Sequence, residues 1–115
     1  MGFQMPDVAA RQRRLREALN AVVERLKRTD VHRAILFGSV ARGTLHSRSD
    51  IDLILIRNDA SPFLQRLERA RGELGVPVAL DLLVYTPEEF ARLRQTSPFV
   101  RQAVAEGRVI YEATC

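Results

Sequence analysis

Apolar positions along the chain fall into two rhythms, and their alternation lays out the expected elements. Leu15, Ala18, Leu19, Val22, Val23 and Leu26 recur at steps of three and four, with charged residues between them, which predicts an amphipathic helix over residues 8 to 28. Asp7 is placed to cap its start, and Thr29-Asp30 marks its stop. Ala34-Ile35-Leu36-Phe37 is a short continuous apolar run closed by Gly38 and reads as a buried strand. Residues 39 to 43 predict a short helical turn, Gly43 to Ser49 a polar loop, and residues 51 to 56 a second strand. In the turn Asn58-Asp59-Ala60-Ser61-Pro62, Ser61 is a natural N-cap with Pro62 at the first helical position. The helix that follows runs to Gly72 or Gly75, with Phe63, Leu64, Leu67 and Ala70 as its apolar stripe.

Val78 to Val84 predicts a third strand, an apolar run interrupted once, at Asp81. Thr86-Pro87-Glu88-Glu89 is a capping box, and helices are expected at 87 to 94 and at 98 to 106, the latter stopped by Gly107. Arg108 to Tyr111 predicts a short last strand. The order helix, strand, strand, helix, strand, helix, helix, strand describes a small α+β or α/β domain, a mixed sheet with helices packed mainly on one face. There is no internal repeat, low-complexity tract or linker, and the 115 residues fit one domain, residues 1–115.

Composition narrows the classes. No apolar stretch reaches the length of a membrane span, and Met1 to Pro6 lacks the basic-then-apolar pattern of a secretory signal. The single cysteine, Cys115, cannot form an internal disulfide, and no Cys/His spacing resembles a zinc site; both features point to a reducing, cytoplasmic setting. The formal charge is +4, and 17 of the 18 basic residues are arginine, which reads either as solubility and composition bias or as attraction to polyanions such as nucleotides or RNA. The arginines are scattered rather than clustered, which favours the first reading.

Three acidic residues stand out. Asp50 and Asp52 head the second strand, and because side chains alternate along a strand, positions 50 and 52 share a face. Two carboxylates with no cation between them repel each other unless a cation sits in front of them, and Mg²⁺ favours carboxylate oxygens together with substrate phosphates. Asp81 lies among six apolar neighbours, Val78 to Val84, where a buried carboxylate needs a partner; it either completes a three-carboxylate cluster or reaches water from an edge strand. Gly38 permits positive φ and close approach of a ligand, and Ser39 is suited to cap a turn whose amides face an anion. The plain alternative is a strand-ending glycine with a serine cap. Arg42 is either a phosphate-neutralising cation or a surface one. Ser47 and Ser49 have no base poised beside them, His46 reads as a solvated loop residue, and Tyr85 and Tyr111 as half-buried strand residues.

The run from Gly38-Ser39 through Ala41-Arg42-Gly43 to Ser49-Asp50-Ile51-Asp52-Leu53 resembles the signature of the DNA polymerase β-like nucleotidyltransferase superfamily, and is nearest its minimal, MntA-like branch. The likeness covers residues 34 to 56 strongly and 78 to 90 loosely, and the helical substrate domain of larger relatives is missing. The resemblance implies that Gly38 and Ser39 hold the phosphates of a nucleoside triphosphate, with Arg42 and Ser49 assisting. It further implies that Asp50 and Asp52 bind two Mg²⁺ ions and that Asp81 binds the catalytic one. Relatives of this kind stand beside a HEPN-domain ribonuclease as the antitoxin of a toxin–antitoxin pair, and some transfer AMP from ATP to its tyrosine. Two further readings stand beside this one. In the first, the chain is a non-catalytic antitoxin that binds nucleotide or partner and acts by occlusion. In the second it is a basic RNA-binding module; only seven aromatics are present and no aromatic-rich patch supports it, so no specific nucleic acid is predicted. Phe90, Leu93, Phe99, Val100 and Val104 are the expected partner surface, and a homo-oligomer stays open.

Overall fold

The computed structural model describes residues 6–38 and 51–113. Eight elements follow one another: α1 (Pro6–Leu26), β1 (Arg33–Phe37), β2 (Ile51–Ile56), α2 (Phe63–Leu74), β3 (Leu80–Tyr85), α3 (Pro87–Thr96), α4 (Pro98–Glu106) and β4 (Arg108–Glu112). The order is the one expected from the apolar pattern, and the strand boundaries move by no more than two residues. α1 begins at Pro6, so Asp7 falls inside the first turn rather than before it. α2 takes Pro62, not Ser61, as its N-cap, and no side chain caps it. The Thr86–Glu89 capping box forms as read: Glu89 N–H donates to Thr86 Oγ1 at 3.1 Å and Thr86 N–H donates back to Glu89 Oε1 at 2.9 Å. No described helix is long and apolar enough to cross a membrane.

The four strands form one mixed sheet in the order β3-β2-β1-β4. β1 pairs antiparallel with β2 and with β4, while β2 pairs parallel with β3. A parallel pair needs a long crossover, and α2 supplies it. All six residues of β2 are buried, as expected of a continuously apolar strand covered on both faces. The alternation along each strand sorts the core into two layers. Ala34, Leu36, Ile51, Leu53, Leu55, Leu82 and Val84 meet α1 (Leu15, Ala18, Val22, Leu26) and α2 (Ala70, Leu74) on the first face. Ile35, Phe37, Ile54 and Ile56 meet Phe90 of α3 and Val100 and Ala103 of α4 on the second.

The two longer helices thus share one face, as expected, and the shorter pair covers part of the other. That second layer corrects the expected partner surface. Phe90 and Val100 are buried, Leu93 and Val104 pack against the same core, and only Phe99 stays exposed. The apolar stripe of α2 is also displaced: Phe63 and Leu64 are 39% and 73% exposed, and the inward side carries Arg66, Ala70 and Leu74.

Two buried arginines tie the layers together. Arg57, fully buried just after β2, donates from Nε to Asp30 Oδ1 at 2.9 Å, from Nη1 to Glu73 Oε1 at 2.6 Å and from Nη2 to both carboxylates. It therefore joins the end of β2 to the α1–β1 connection and to α2. Burial alone would lower its pKa, but the hydrogen bonds to Glu73 and Asp30 outweigh that, and the net direction is upward. Arg66 of α2 donates to Ser61 O at 2.8 Å, to Val84 O at 3.2 Å and to Glu89 Oε1 at 2.7 Å, so it links α2 to β3 and to the capping box.

Removing the carboxylates strands a buried charge, whereas removing the arginine frees acids that already reach water: the side chain of Asp30 is 59% exposed and that of Glu73 27%. Asp30→Ala/Glu73→Ala should therefore cost about 3–5 kcal/mol, and Arg57→Met distinctly less, in urea unfolding followed by circular dichroism.

The hydrogen bond from Arg66, followed by that from the Thr86 N–H, holds Glu89 below its ordinary pKa of 4.5. A depressed folded-state pKa stabilises above the unfolded value and loses that contribution as pH falls through the folded value. Stability should thus decline below pH 4.5, and Glu89→Gln should flatten the decline. Urea midpoints between pH 7 and 3 measure it; an equally steep acid slope in the variant would contradict the assignment.

Candidate active site

The candidate site residues that the structure describes lie at the end of the sheet where β1 finishes and β2 and β3 begin. Phe37, the last residue of β1, lies across from Asp52 in the antiparallel ladder. Gly38 then turns the chain with φ +74°, a left-handed conformation that a glycine adopts freely. Its missing side chain matters as much as its φ. A Cβ on Gly38 would stand 3.0 Å from Asp52 Cγ and 3.3 Å from its Cβ, and would overlap Oδ2. The Asp52 carboxylate is therefore laid directly over the bare Cα of Gly38, and it is only 6% exposed.

Asp52 is also paired in register with Asp81 on β3. Residues opposite one another in a parallel ladder project to the same side of the sheet, and neighbouring strands lie about 4.8 Å apart. The two carboxylates thus share the second face, the one lined further along by Ile54 and Leu83. Asp81 differs from its expected setting. It is exposed, because β3 is an edge strand, and its side chain makes no ion pair or hydrogen bond among the described residues. Asp81 thus reaches water from an edge strand, and it stands across from Asp52.

Among the described residues no group of three or more His, Cys, Asp or Glu side chains forms a metal cluster. Asp50, Ser39, Arg42 and Ser49, the other residues singled out for the site, lie outside the described residues, as do Gly43, His46 and Ser47. Two hard, anionic oxygen donors side by side at an open sheet end match the ligand preference of Mg²⁺.

A hollow of about 250 Å³ opens beside Gly38, bounded by Phe37, Gly38, Phe99, Gln102, Ala103 and Glu106. The residues on its α4 side were not anticipated as site residues. Their signal was the spacing of Phe99, Gln102 and Glu106, a second stripe on α4 apart from the buried Val100 and Ala103. A larger hollow of about 420 Å³, lined by Ile56, Phe90 and Arg94 among others, lies at the other end of the strands. Ile56 is four residues from Asp52, about 13 Å along β2, so that hollow does not adjoin the carboxylates.

The nucleotidyltransferase domain model matches residues 15–111, which include β1, β2, β3 and most of β4, Gly38 and the three acidic residues. The chain belongs to the nucleotidyltransferase domain family. Solved structures agree on the fold. A candidate nucleotidyltransferase from Sulfolobus solfataricus superposes with a TM-score of 0.61 at 19% identity, covering 97% of this chain and 92% of that one. A toxin-antitoxin solved with AMP-PNP gives a TM-score of 0.54 at 24% identity, over 84% of this chain and 74% of that one. A mutant of the toxin-antitoxin MntA-HpeT gives 0.53 at 25% identity, over 83% and 72%. No curated protein matches the chain.

Within this nucleotidyltransferase the contact between Gly38 and Asp52 can be isolated. Gly38→Ala combines a left-handed φ, costing about 1–2 kcal/mol for a residue with a Cβ, with the collision at the carboxylate. Trimming the other side relieves only the collision. Gly38→Ala/Asp52→Ala should therefore be destabilised by about 1 kcal/mol or more less than the two single changes added together, read from urea unfolding of all four proteins. Additive single effects would show that the two groups do not touch.

Proposed function

We propose that this chain, acting as one unit over residues 1–115, transfers AMP from ATP to a hydroxyl group of a protein partner. That partner is a HEPN-domain toxin, which the transferase silences as its antitoxin. The observation that carries this reading is the register pairing of Asp52 with Asp81 beside the side-chain-free turn at Gly38. Support for the partner comes from the MntA-HpeT relative at 25% identity and from the sequence likeness to minimal nucleotidyltransferases.

Asp52 and Asp81, together with Asp50, would hold two Mg²⁺ ions, which when bound supply Lewis-acid stabilisation of phosphate charge. Gly38 and Ser39 offer a phosphate-accommodating turn, and Arg42 and Ser49 contact the triphosphate. The acceptor hydroxyl oxygen attacks the α-phosphorus. A new P–O bond forms, the bond from the α-phosphorus to the bridging oxygen breaks, and pyrophosphate departs. The hydroxyl proton passes to Asp81, whose exposure lets it meet an incoming acceptor and return the proton to water. Asp52, almost enclosed, stays fixed by Gly38 and orients the reacting phosphate.

Because Asp81 is exposed and makes no side-chain contact that the fold uses, Asp81→Asn should leave the circular dichroism spectrum intact while lowering AMP transfer by about 100-fold or more. The assay mixes the chain, ATP labelled on the α-phosphate, Mg²⁺ and the HEPN-domain partner, and follows covalent AMP by mass. Transfer by Asp81→Asn at the wild-type rate would sink the assignment. A tight complex that never acquires AMP would assign occlusion in its place.

A further inference from the structure

The two outer strands of the sheet meet solvent differently. β3 is largely closed: Leu82 and Val84 are 1% and 0% exposed, and Val84 O accepts from Arg66 at 3.2 Å. β4 is open, with none of its five residues buried, and Val109 is 53% exposed. An open outer strand presents unpaired N–H and C=O groups to whatever meets it. The pairing of β4 with β1 also carries a bulge: Ala34 stands across from Tyr111 and Ile35 from Val109, so Ile110 is the extra residue. Ile110 and Tyr111 accordingly both pack against the core layer under α1 instead of on alternate sides.

Between this strand and α1 runs a groove of about 290 Å³. Leu19, Val23, Val109 and Ile110 give it aliphatic walls, Arg16 and Arg108 line it as well, and no carboxylate does so among the described residues. Arg16, Leu19 and Val23 form one stripe of α1, at steps of three and four. Neither arginine makes an ion pair among the described residues. Aliphatic walls with two uncommitted guanidinium groups fit a segment whose side chains are apolar and acidic. RNA would match the charge, but no ring lines the groove for a base to stack on. A second copy of the chain would meet the groove with the same cations, and the one carboxylate of β4, Glu112, is already held by Arg33 at 2.8 Å.

We infer that this groove docks the protein partner, an inference that rests on the antitoxin reading above. The partner contributes an extended segment that adds to the sheet along β4, lays apolar side chains over Val109 and Ile110, and sets carboxylates against Arg16 and Arg108. β4 and β3 are opposite edges of the sheet, with β1 and β2 between them, so the docked segment leaves Asp81 uncovered for the acceptor hydroxyl. The groove sets how tightly the partner is held and takes no part in the step at phosphorus.

The test is titration calorimetry of the full chain with the HEPN-domain partner, alongside sedimentation of the chain alone. Arg16→Glu/Arg108→Glu should weaken the complex by about tenfold or more. Arg92→Glu/Arg101→Glu makes the same change in net charge on exposed residues of α3 and α4 and should stay within about twofold of wild type. Val109→Lys, which puts a charge on the open strand, should weaken the complex too. A partner affinity that no groove variant alters would overturn the docking site. Equal losses from the two arginine pairs would also overturn it, since they mark general attraction between net charges. A dimer of the chain alone that Val109→Lys dissociates gives the strand to a second copy. A single-stranded RNA oligonucleotide bound by wild type but not by Arg16→Glu/Arg108→Glu gives the groove to nucleic acid. Either result overturns the proposal. Wild type that binds no partner at all fails the antitoxin reading itself, and the docking site falls with it.

Discussion

The placing of Asp52 beside Asp81 depends on the register of one parallel strand pair. With β3 in its present position, Asp81 stands opposite Asp52. A slip of one residue would turn Asp81 to the face under α1 and α2 and bring a leucine, Leu80 or Leu82, across from Asp52. The core forbids that slip. Leu82 and Val84 belong to the first layer and Leu83 and Tyr85 pack against the second, so every residue of β3 after Asp81 is placed by its neighbours. The ladder also continues past both ends of the strands, with Ile51 N–H donating to Ala79 O at 3.1 Å and Arg57 N–H to Tyr85 O at 3.0 Å. Because parallel pairing runs through α2, the attachment of Arg66 to Val84 O and Glu89 holds the crossover and the register together.

Charge is distributed unevenly around that sheet. At the far end, carboxylates are matched with arginines: Asp30 and Glu73 with Arg57, Asp59 with Arg69, Glu112 with Arg33. These pairs clamp connections to the ends of strands, and the most enclosed of them, around Arg57, spends a permanent cation on structure. At the site end, Asp52 and Asp81 face each other as like charges. Enclosing a carboxylate beside another costs stability, and a divalent cation in front of the pair would offset it. The fold tolerates this because β2 is buried over its whole length and α1, α2 and Arg57 brace it from elsewhere. The arginine clamp and the candidate site are thus separated along a single strand, with Asp52 near one end and Arg57 just beyond the other.

The sequence disclosed much of this, and its limits were physical. The strands were legible because Ala34–Phe37 and Ile51–Ile56 are continuous apolar runs, and the capping box at Thr86 was legible because Pro87 and Glu89 stand at fixed offsets from it. Asp52 and Asp81 were legible as exceptions inside apolar runs. Their pairing was not: local periodicity assigns a face within one strand but says nothing of register between strands separated by a helix. The stripe of α2 misled because Arg66 and Leu64 exchange the roles that their chemistry suggests. The buried guanidinium finds Ser61 O, Val84 O and Glu89, partners up to 23 positions away in sequence, and without them the burial of an arginine makes no sense. For the same reason Arg57 passed unnoticed among 17 arginines. The second core layer was missed as a layer because Phe90, Val100 and Val104 look equally like a surface for a partner until Ile35 and Ile54 are seen beneath them.

Why Asp81 remains accessible follows from how α3 and α4 are joined. Ser97 ends one helix and starts the next: its N–H donates to Leu93 O at 2.9 Å, and its Oγ accepts from Val100 N–H at 3.2 Å. A junction of one residue with Pro98 behind it cannot continue α3 straight, so the chain turns there. α3 packs on β3 and α4 on β1. At ten and nine residues the two helices are each about 15 Å or less in length, enough to cover Ile35, Ile54 and Ile56 but not the start of β3. Had α3 run on as one helix of their combined length, it would have had the reach to extend over more of the second face. The bend instead sends α4 to β1 and sets Phe99, Gln102 and Glu106 beside Gly38, while Asp81 remains open to solvent. Gly107 then closes the arrangement: a Cβ there would meet Ala103 O at 2.5 Å and Leu36 O at 2.6 Å, so only glycine lets β4 leave α4 this close to β1.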